Sequence, residues 1–207
     1  RELQIDHQGE DTGRAALNSP DTGKRLVKAL TLLGPTWVKF GQILSTRPDA
    51  IPESIIVELQ TLQDAVEAIE FADIDSQLQR NLGKEWRSKF ERFEEAPLAS
   101  ASIGQVHEAV LLEGQRVVLK IQRPDIRSKI ESDLNILHTI AGYLEEAFPE
   151  AHIMDLRGMV RGFAKSLAQE LDYRTEAGNM DRFRRNFEGH PDVHVPAVYK
   201  QLSTDQV

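Results

Sequence analysis

The sequence contains no cysteine, which excludes disulfides and thiolate metal sites and suits a reducing compartment. It has no uncharged apolar run close to the 18 or so residues that signal a membrane-spanning helix, and no signal peptide. An excess of basic charge is also missing. With 25 Lys and Arg against 33 Asp and Glu the net charge is −8, and the basic residues are interleaved with acids instead of forming a stripe. A general nucleic-acid binder, which carries a basic footprint, is thereby excluded. Neither an internal repeat nor a low-complexity segment occurs. What remains is an ordinary globular composition, 40% hydrophobic and 28% charged over 207 residues, enough to bury a core in one domain or in two small ones.

The first residues are polar and lack periodicity, so 1–24 is expected to be a frayed remnant. The chain starts at Arg1 without an initiator Met and closes on Thr204-Asp205-Gln206-Val207, which has the look of a strand start, so both ends are expected to be cut. From Asp21 to Thr46 apolar residues recur at helical spacing. Gly34-Pro35 divides that stretch into two helices, with Pro35 suited to a first helical turn. Further helices are expected over Glu53–Gln63 and Phe71–Asn81, making 25–85 a helical extension.

The pattern changes after Trp86. Gln105–Leu112 and Gln115–Gln122 are β-type runs around Glu113-Gly114 and predict a hairpin. A long helix is expected from Ile126 to Phe148. A second should run from Leu156, capped by Asp155, to Phe187. A short strand is expected over Val193–Tyr199.

The hairpin carries the chemistry. Small residues precede it, and Lys120 lies sixteen positions after Gly104 near the end of a β-run. In a kinase-like N-lobe, small residues let backbone N–H groups approach nucleotide phosphates, and a strand lysine reaches them while held by a helix glutamate. Val117-Val118-Leu119-Lys120 is close to the Val-Ala-Ile-Lys pattern. The bland alternatives are an edge-strand lysine that discourages aggregation and an ordinary Ala/Ser-rich turn. Ala99, Ser100, Ala101 and Ser102 stand where a glycine-rich loop would have glycines, which disfavours a generic protein kinase.

Leu98-Ala99-Ser100-Ala101-Ser102-Ile103-Gly104-Gln105-Val106-His107 resembles the alanine-rich loop of the UbiB/AarF family of atypical kinase-like proteins. Lys39-Phe40-Gly41-Gln42 matches that family's Lys-x-Gly-Gln signature, and Leu62-Gln63-Asp64 also fits. Glu170-Leu171-Asp172-Tyr173, followed by Glu176-Ala177 and Asn179, resembles its Glu-x-Asp-Tyr segment. The likeness covers roughly residues 25–207. It implies an α+β fold: a protein-kinase-like N-lobe at 86–207, preceded by the helical extension, with the C-lobe absent.

The resemblance further implies ATP and Mg as cofactors, with nucleotide contacts from Leu98, Ala99, Ser100, Ala101, Ser102, Ile103, Gly104, Gln105, Val106 and Lys120. Glu170 would be the ion-pair partner of Lys120. Lys39, Gly41, Gln42, Asp172 and Glu176 would form a regulatory motif, with Lys39 and Gln42 on a helix folded over the pocket. Without the motif, Lys39 reads as a residue of a solvated amphipathic face. Asp172 cannot share a helix face with Glu170 and is assigned a different, structural role. Kinase logic alone would nominate Glu131, on the helix directly after Lys120, which is the fallback partner.

The family implies ATPase or small-molecule kinase activity supporting ubiquinone or other isoprenoid-lipid synthesis at the cytoplasmic face of the bacterial inner membrane. Metal ligands and catalytic groups are expected beyond Val207. Partners would be a lipid or quinone precursor, the membrane surface, and a homodimer or quinone-synthesis complex. The competing expectation is a pseudokinase-like lipid-binding or scaffold module. His190-Pro191-Asp192 mimics a kinase catalytic loop but is expected to be a turn, because Ala197 stands where a metal-binding Asn would be needed. The histidines lack metal-ligand spacing, and His107 and His194 are expected to be structural.

Overall fold

The computed structural model describes residues 20–49, 51–62, 67–147 and 155–207. These divide into two units. One takes in residues up to 62 together with 141–147 and 155–156; the other takes in 67–140 and 157–207.

The first unit is built on α1 (Pro20–Leu33), α2 (Pro35–Leu44) and α3 (Glu53–Leu59). Gly34, with φ of 105°, makes the corner between α1 and α2 in a region where glycine carries no steric penalty. Pro35 takes the first turn of α2, as expected. Leu30, Trp37, Val38, Ile55, Ile56, Leu59 and Leu62 fill the interior. Gly41 is where α2 approaches its neighbours most closely. A Cβ there would lie 2.5 Å from Leu62 Cδ1 and 2.6 Å from Leu30 Cδ1. Because α1 starts at Pro20, the expected remnant over 1–24 is shortened; residues 1–19 lie outside the described residues, as do Gln63 and Asp64.

The second unit is a small antiparallel sheet with helices. Strand β3 (Gly104–Leu111) is central. It pairs along its whole length with β4 (Arg116–Gln122), while β1 (Phe90–Phe93) and β2 (Ala99–Ser100) share its other edge. The hairpin is as the sequence predicts; β1 and β2 are too short to give a period. Helix α4 (Phe71–Leu82) covers one face of the sheet, with Ile74 and Leu78 fully buried against Trp86, Phe90, Ala109, Leu111, Leu119 and Ile121. Trp86 donates its indole N–H to Asp75 at 3.0 Å, which satisfies its polar edge. Helix α4 therefore belongs with the sheet, not with the helical extension to which 25–85 assigned it.

Three helices follow: α5 (Ile126–Ala147), α6 (Leu156–Glu170) and α7 (Tyr173–Asn186). The single long helix expected over Leu156–Phe187 is broken at Leu171-Asp172. There Asp172 takes an extended backbone and its carboxylate accepts the Arg174 N–H at 3.0 Å, an N-cap that restarts the chain as α7. Val193–Tyr199, expected as a strand, forms no strand and joins no ladder, and Pro196 within it lacks the amide a ladder needs. His190-Pro191-Asp192 is a turn, with the Asp192 N–H on His190 Nδ1 at 3.3 Å.

Candidate functional site

The register of the hairpin decides which side chains reach which face. Lys120 lies opposite Val106, and Val118 opposite Glu108, all directed away from α4; Leu119 and Ile121, on the alternate positions, enter the core. Beside Lys120 a cleft of about 650 Å³ opens, lined by residues of β1, β3 and β4, the first two turns of α7, the segment 194–203 and Val207. Its size is that of a small-molecule site. Val106, Val118, Ala177, Met180, Pro196 and Val198 give it apolar walls.

Lys120 is the pivot. Its ammonium lies 2.7 Å from Glu176 Oε2 and 4.8 Å from the centroid of the Tyr173 ring. Tyr173 and Glu176 are i and i+3 on α7, so one helix face presents both to the lysine. The assignment of Glu170 as partner is thus corrected to Glu176. Glu170 ends α6, before the break that Asp172 caps, and the unbroken helix assumed from the sequence misplaced the two acids relative to the strand. The fallback Glu131 is exposed on α5.

The alanine-rich segment is a tight, braced turn. Leu98 and the β2 residues Ala99 and Ser100 are laddered to β3 through Val106 and Gln105, and the Ala101 N–H closes the turn on Gly104 O at 2.8 Å. Arg123, immediately after β4, holds it from outside. Its Nε donates to Ala101 O at 3.0 Å, and its Nη2 donates to Ser100 Oγ at 2.8 Å and to Glu67 O at 2.7 Å. The Arg123 backbone N–H donates to Ile103 O at 3.0 Å. Burial lowers the pKa of this guanidinium, the cost of bringing it under the turn.

Ser102, Ile103 and Gln105 are buried. The Gln105 side chain faces the α4 side of the sheet, where its Oε1 accepts the Ile69 N–H at 3.0 Å, so as a nucleotide contact it is corrected to a structural clamp. Gly104 is forced to be small. A Cβ on it would collide with the Tyr173 hydroxyl and lie 2.8 Å from Ile121 O.

His107 is fully buried, as a structural histidine, between Phe71 and Phe93. Its Nδ1 donates to Glu94 O at 2.9 Å, since a carbonyl can only accept; its Nε2 then accepts from Gln105 at 3.1 Å. Desolvation pushes its pKa below the ordinary histidine value, against the opposing effect of the Glu94 carbonyl. His194 lines the cleft.

In the first unit, Gln42 donates to Leu62 O at 3.2 Å, and Gly41 is the close-approach point described above. Lys39 lies between them and the Trp37 anchor on α2.

Sequence reasoning passed over two residues. Tyr173 was visible inside the Glu-x-Asp-Tyr segment, but its place under Lys120 depends on the helix break. Arg123 had only its position at the strand end as a signal.

A nucleotide fits these residues. A lysine ammonium held on the rim of an apolar-walled cleft of about 650 Å³ offers a cation for a phosphate and room for a small molecule. Among the described residues no group of three or more His, Asp or Glu side chains could hold a metal ion.

Comparison with known proteins shows similarity of family and fold. Residues 61–207 match the model of the ABC1 atypical kinase-like domain. A "Probable protein kinase UbiB" from Vibrio parahaemolyticus is 45% identical over 186 residues, which are 89% of this chain and 34% of that protein. Its counterpart from Sodalis glossinidius is 41% identical over 183 residues, 88% of this chain and 34% of that protein. The chain thus spans about a third of the length of these relatives. Among solved structures, Rv3197 from Mycobacterium tuberculosis, determined in complex with erythromycin, superposes with a TM-score of 0.59 at 32% identity, over 95% of this chain and 49% of that one.

Proposed function

This chain belongs to the ABC1 atypical kinase-like family, and from that premise we propose that it is the nucleotide-holding part of a UbiB-type kinase or ATPase. The observation that carries the proposal is the Lys120–Glu176 ion pair at 2.7 Å, on the rim of an apolar-walled cleft. In this reading Lys120 meets the phosphates of ATP, Glu176 and the Tyr173 ring aim its ammonium, and the turn held by Arg123 fixes the approach of backbone to phosphate. Val106, Met180 and Pro196 pack around the base. Mg would be bound with the nucleotide and would neutralise phosphate charge. The acceptor side of phosphoryl transfer is assigned to the remaining two-thirds of the relatives' length. Support for quinone or isoprenoid-lipid synthesis at the inner membrane is the cellular role proposed, on the resemblance to UbiB. No helix among the described residues is long and apolar enough to cross a membrane. Lys39, Gly41 and Gln42 are proposed to act as a regulatory motif.

The test is equilibrium binding of Mg-ATP to this chain, followed by thermal shift and by fluorescent-nucleotide titration, with Lys120→Ala as control. Saturable stabilisation that the variant loses supports the proposal. An absence of binding to a folded wild type would favour the scaffold alternative.

A further inference from the structure

The break between α6 and α7 is held from three sides. Leu171 O, the carbonyl at the break, accepts Gln122 Nε2 at 2.6 Å and Arg127 Nη2 at 2.7 Å. The Tyr173 N–H, which opens α7, donates to Asp205 O at 3.1 Å. The Asp205 carboxylate in turn faces Arg127 at 3.2 Å, and the Gln122 N–H donates to Gln206 O at 2.9 Å. The end of β4, the first turn of α5 and residues 205–206 therefore meet at one point. A carbonyl can accept two donors, but one is enough to satisfy it, and Arg127 already supplies that one. As a cap alone Gln122 is redundant, although its side chain is fully buried there.

Its place on the strand supplies a further role. Gln122 and Lys120 are two positions apart on β4 and share a face. That face holds α7 at two points: Gln122 on Leu171 O, just before the helix, and Lys120 on Glu176, within its first turns. The two contacts are unequal. The Lys120–Glu176 pair is open to water, which screens it, and so exposed a pair does not hold a helix in place. The Gln122 contact is buried, where a hydrogen bond is electrostatically stronger than in water. A tilt or slide at the break would be carried along α7 to the Glu176 carboxylate, and the buried contact is the one that opposes it.

We infer that Gln122 is a positioning residue for the nucleotide site: from the strand face that carries Lys120 it fixes the start of α7, and thereby sets Glu176 against the lysine. The inference rests on the nucleotide-binding function proposed above. Gln122 touches no ligand and acts through Glu176. Without its amide the Leu171 carbonyl keeps Arg127, so the fold stands while the start of α7 is free to shift. The Lys120 ammonium then loses its fixed aim at the phosphates, and a ligand that has no phosphate is unaffected.

The experiment is a double-mutant cycle. Wild type, Gln122→Met, Glu176→Gln and the double variant are titrated with Mg-ATP and with adenosine by calorimetry, and their melting temperatures are measured without ligand. Methionine keeps the length of the side chain and removes its donor. Gln122→Met is expected to lose about threefold to tenfold in Mg-ATP affinity, a loss that disappears when Glu176 is already Gln, because the two residues act as one unit. Its adenosine affinity stays at the wild-type value. A residue that only packs would cost the same factor in both backgrounds, and that result overturns the inference. Unchanged Mg-ATP affinity in Gln122→Met also overturns it, while leaving nucleotide binding in place. If Gln122→Met does not fold, Gln122→Asn, which keeps an amide too short to reach Leu171 O, takes its place in the cycle. Failure of that variant to fold as well assigns Gln122 to the fold alone and overturns the inference. A folded wild type that binds neither ligand overturns the nucleotide-binding function itself, and this inference with it.

Discussion

Lys120 and Glu176 are separated by fifty-six positions in the chain and by 2.7 Å in space. Side-chain exposures of 39% and 49% place the pair on the rim of the cleft, where water screens it. A pair so exposed contributes roughly 0–1 kcal/mol to stability. Its value lies in aiming the ammonium. Glu176→Gln is therefore expected to leave the melting temperature within about 2 °C of wild type, given a shift of roughly 2–4 °C per kcal/mol in a chain of this size. The same variant should weaken Mg-ATP binding several-fold. Calorimetric titration beside a melting curve checks both, and a large stability loss without an affinity loss would contradict the assignment.

Arg123 makes three side-chain hydrogen bonds to the turn and its surroundings. Truncation to Ala leaves Ala101 O without its Arg123 donor, for an expected cost of about 1–3 kcal/mol. Arg123→Lys, which replaces a fork by a point charge, should recover less than half of that. Denaturant unfolding measures the cost. Hydrogen exchange at the amides of 98–104 should show the loss of protection confined to the turn.

His107 gives the fold a pH dependence whose sign follows from its environment. Its folded pKa is lowered and its unfolded pKa is the ordinary 6.5. As pH falls through that value the unfolded chain takes up a proton that the folded chain resists, so stability is complete above about pH 6.5 and declines below it. Protonation of Nε2 would also replace the acceptor of the Gln105 amide with a second donor. His107→Gln is expected to flatten the decline between pH 6.5 and 5, before carboxylates titrate. Urea midpoints at half-unit pH steps measure it, and an unchanged slope would refute it.

Gly41 tests the first unit separately. Its missing side chain is the space taken by Leu30 and Leu62. Gly41→Ala must displace two leucines and is expected to cost about 1–3 kcal/mol by overpacking, against a helix-propensity gain of under about 1 kcal/mol. The measurement is thermal unfolding with ATP affinity followed in parallel.

The parts of the fold that the sequence announced are those with a strong local period or a local stop. The α1–α2 corner is legible because Gly34-Pro35 is a backbone instruction. The hairpin is legible because two β-branched runs flank Gly114. The β1 and β2 strands carry no such signal, since four and two residues cannot establish alternation; they exist because β3 offers them an edge. The site was legible as a set of residue types and misread in its pairing. Apolar spacing runs unbroken across Leu171, so the sequence suggests one helix, and only the capping geometry of Asp172 reveals two. That break rotates Glu176 and Tyr173 toward Lys120 and takes Glu170 out of the pairing. Arg123 was invisible for another reason: two of its three side-chain partners are backbone carbonyls, which leave no trace in residue identity.

The turn braced by Arg123 has a kinetic consequence. A glycine-rich flap settles onto its ligand and must lift again to release it, so its own ordering enters both the affinity and the departure rate. Here the guanidinium and the ladder to β3 have fixed the backbone before any nucleotide arrives. On the function proposed above, a nucleotide would then enter and leave without the turn having to lift, and its exchange would depend on how quickly the Lys120 ammonium changes partners. Rapid turnover of bound nucleotide, with little entropic cost on capture, is the behaviour this rigidity favours.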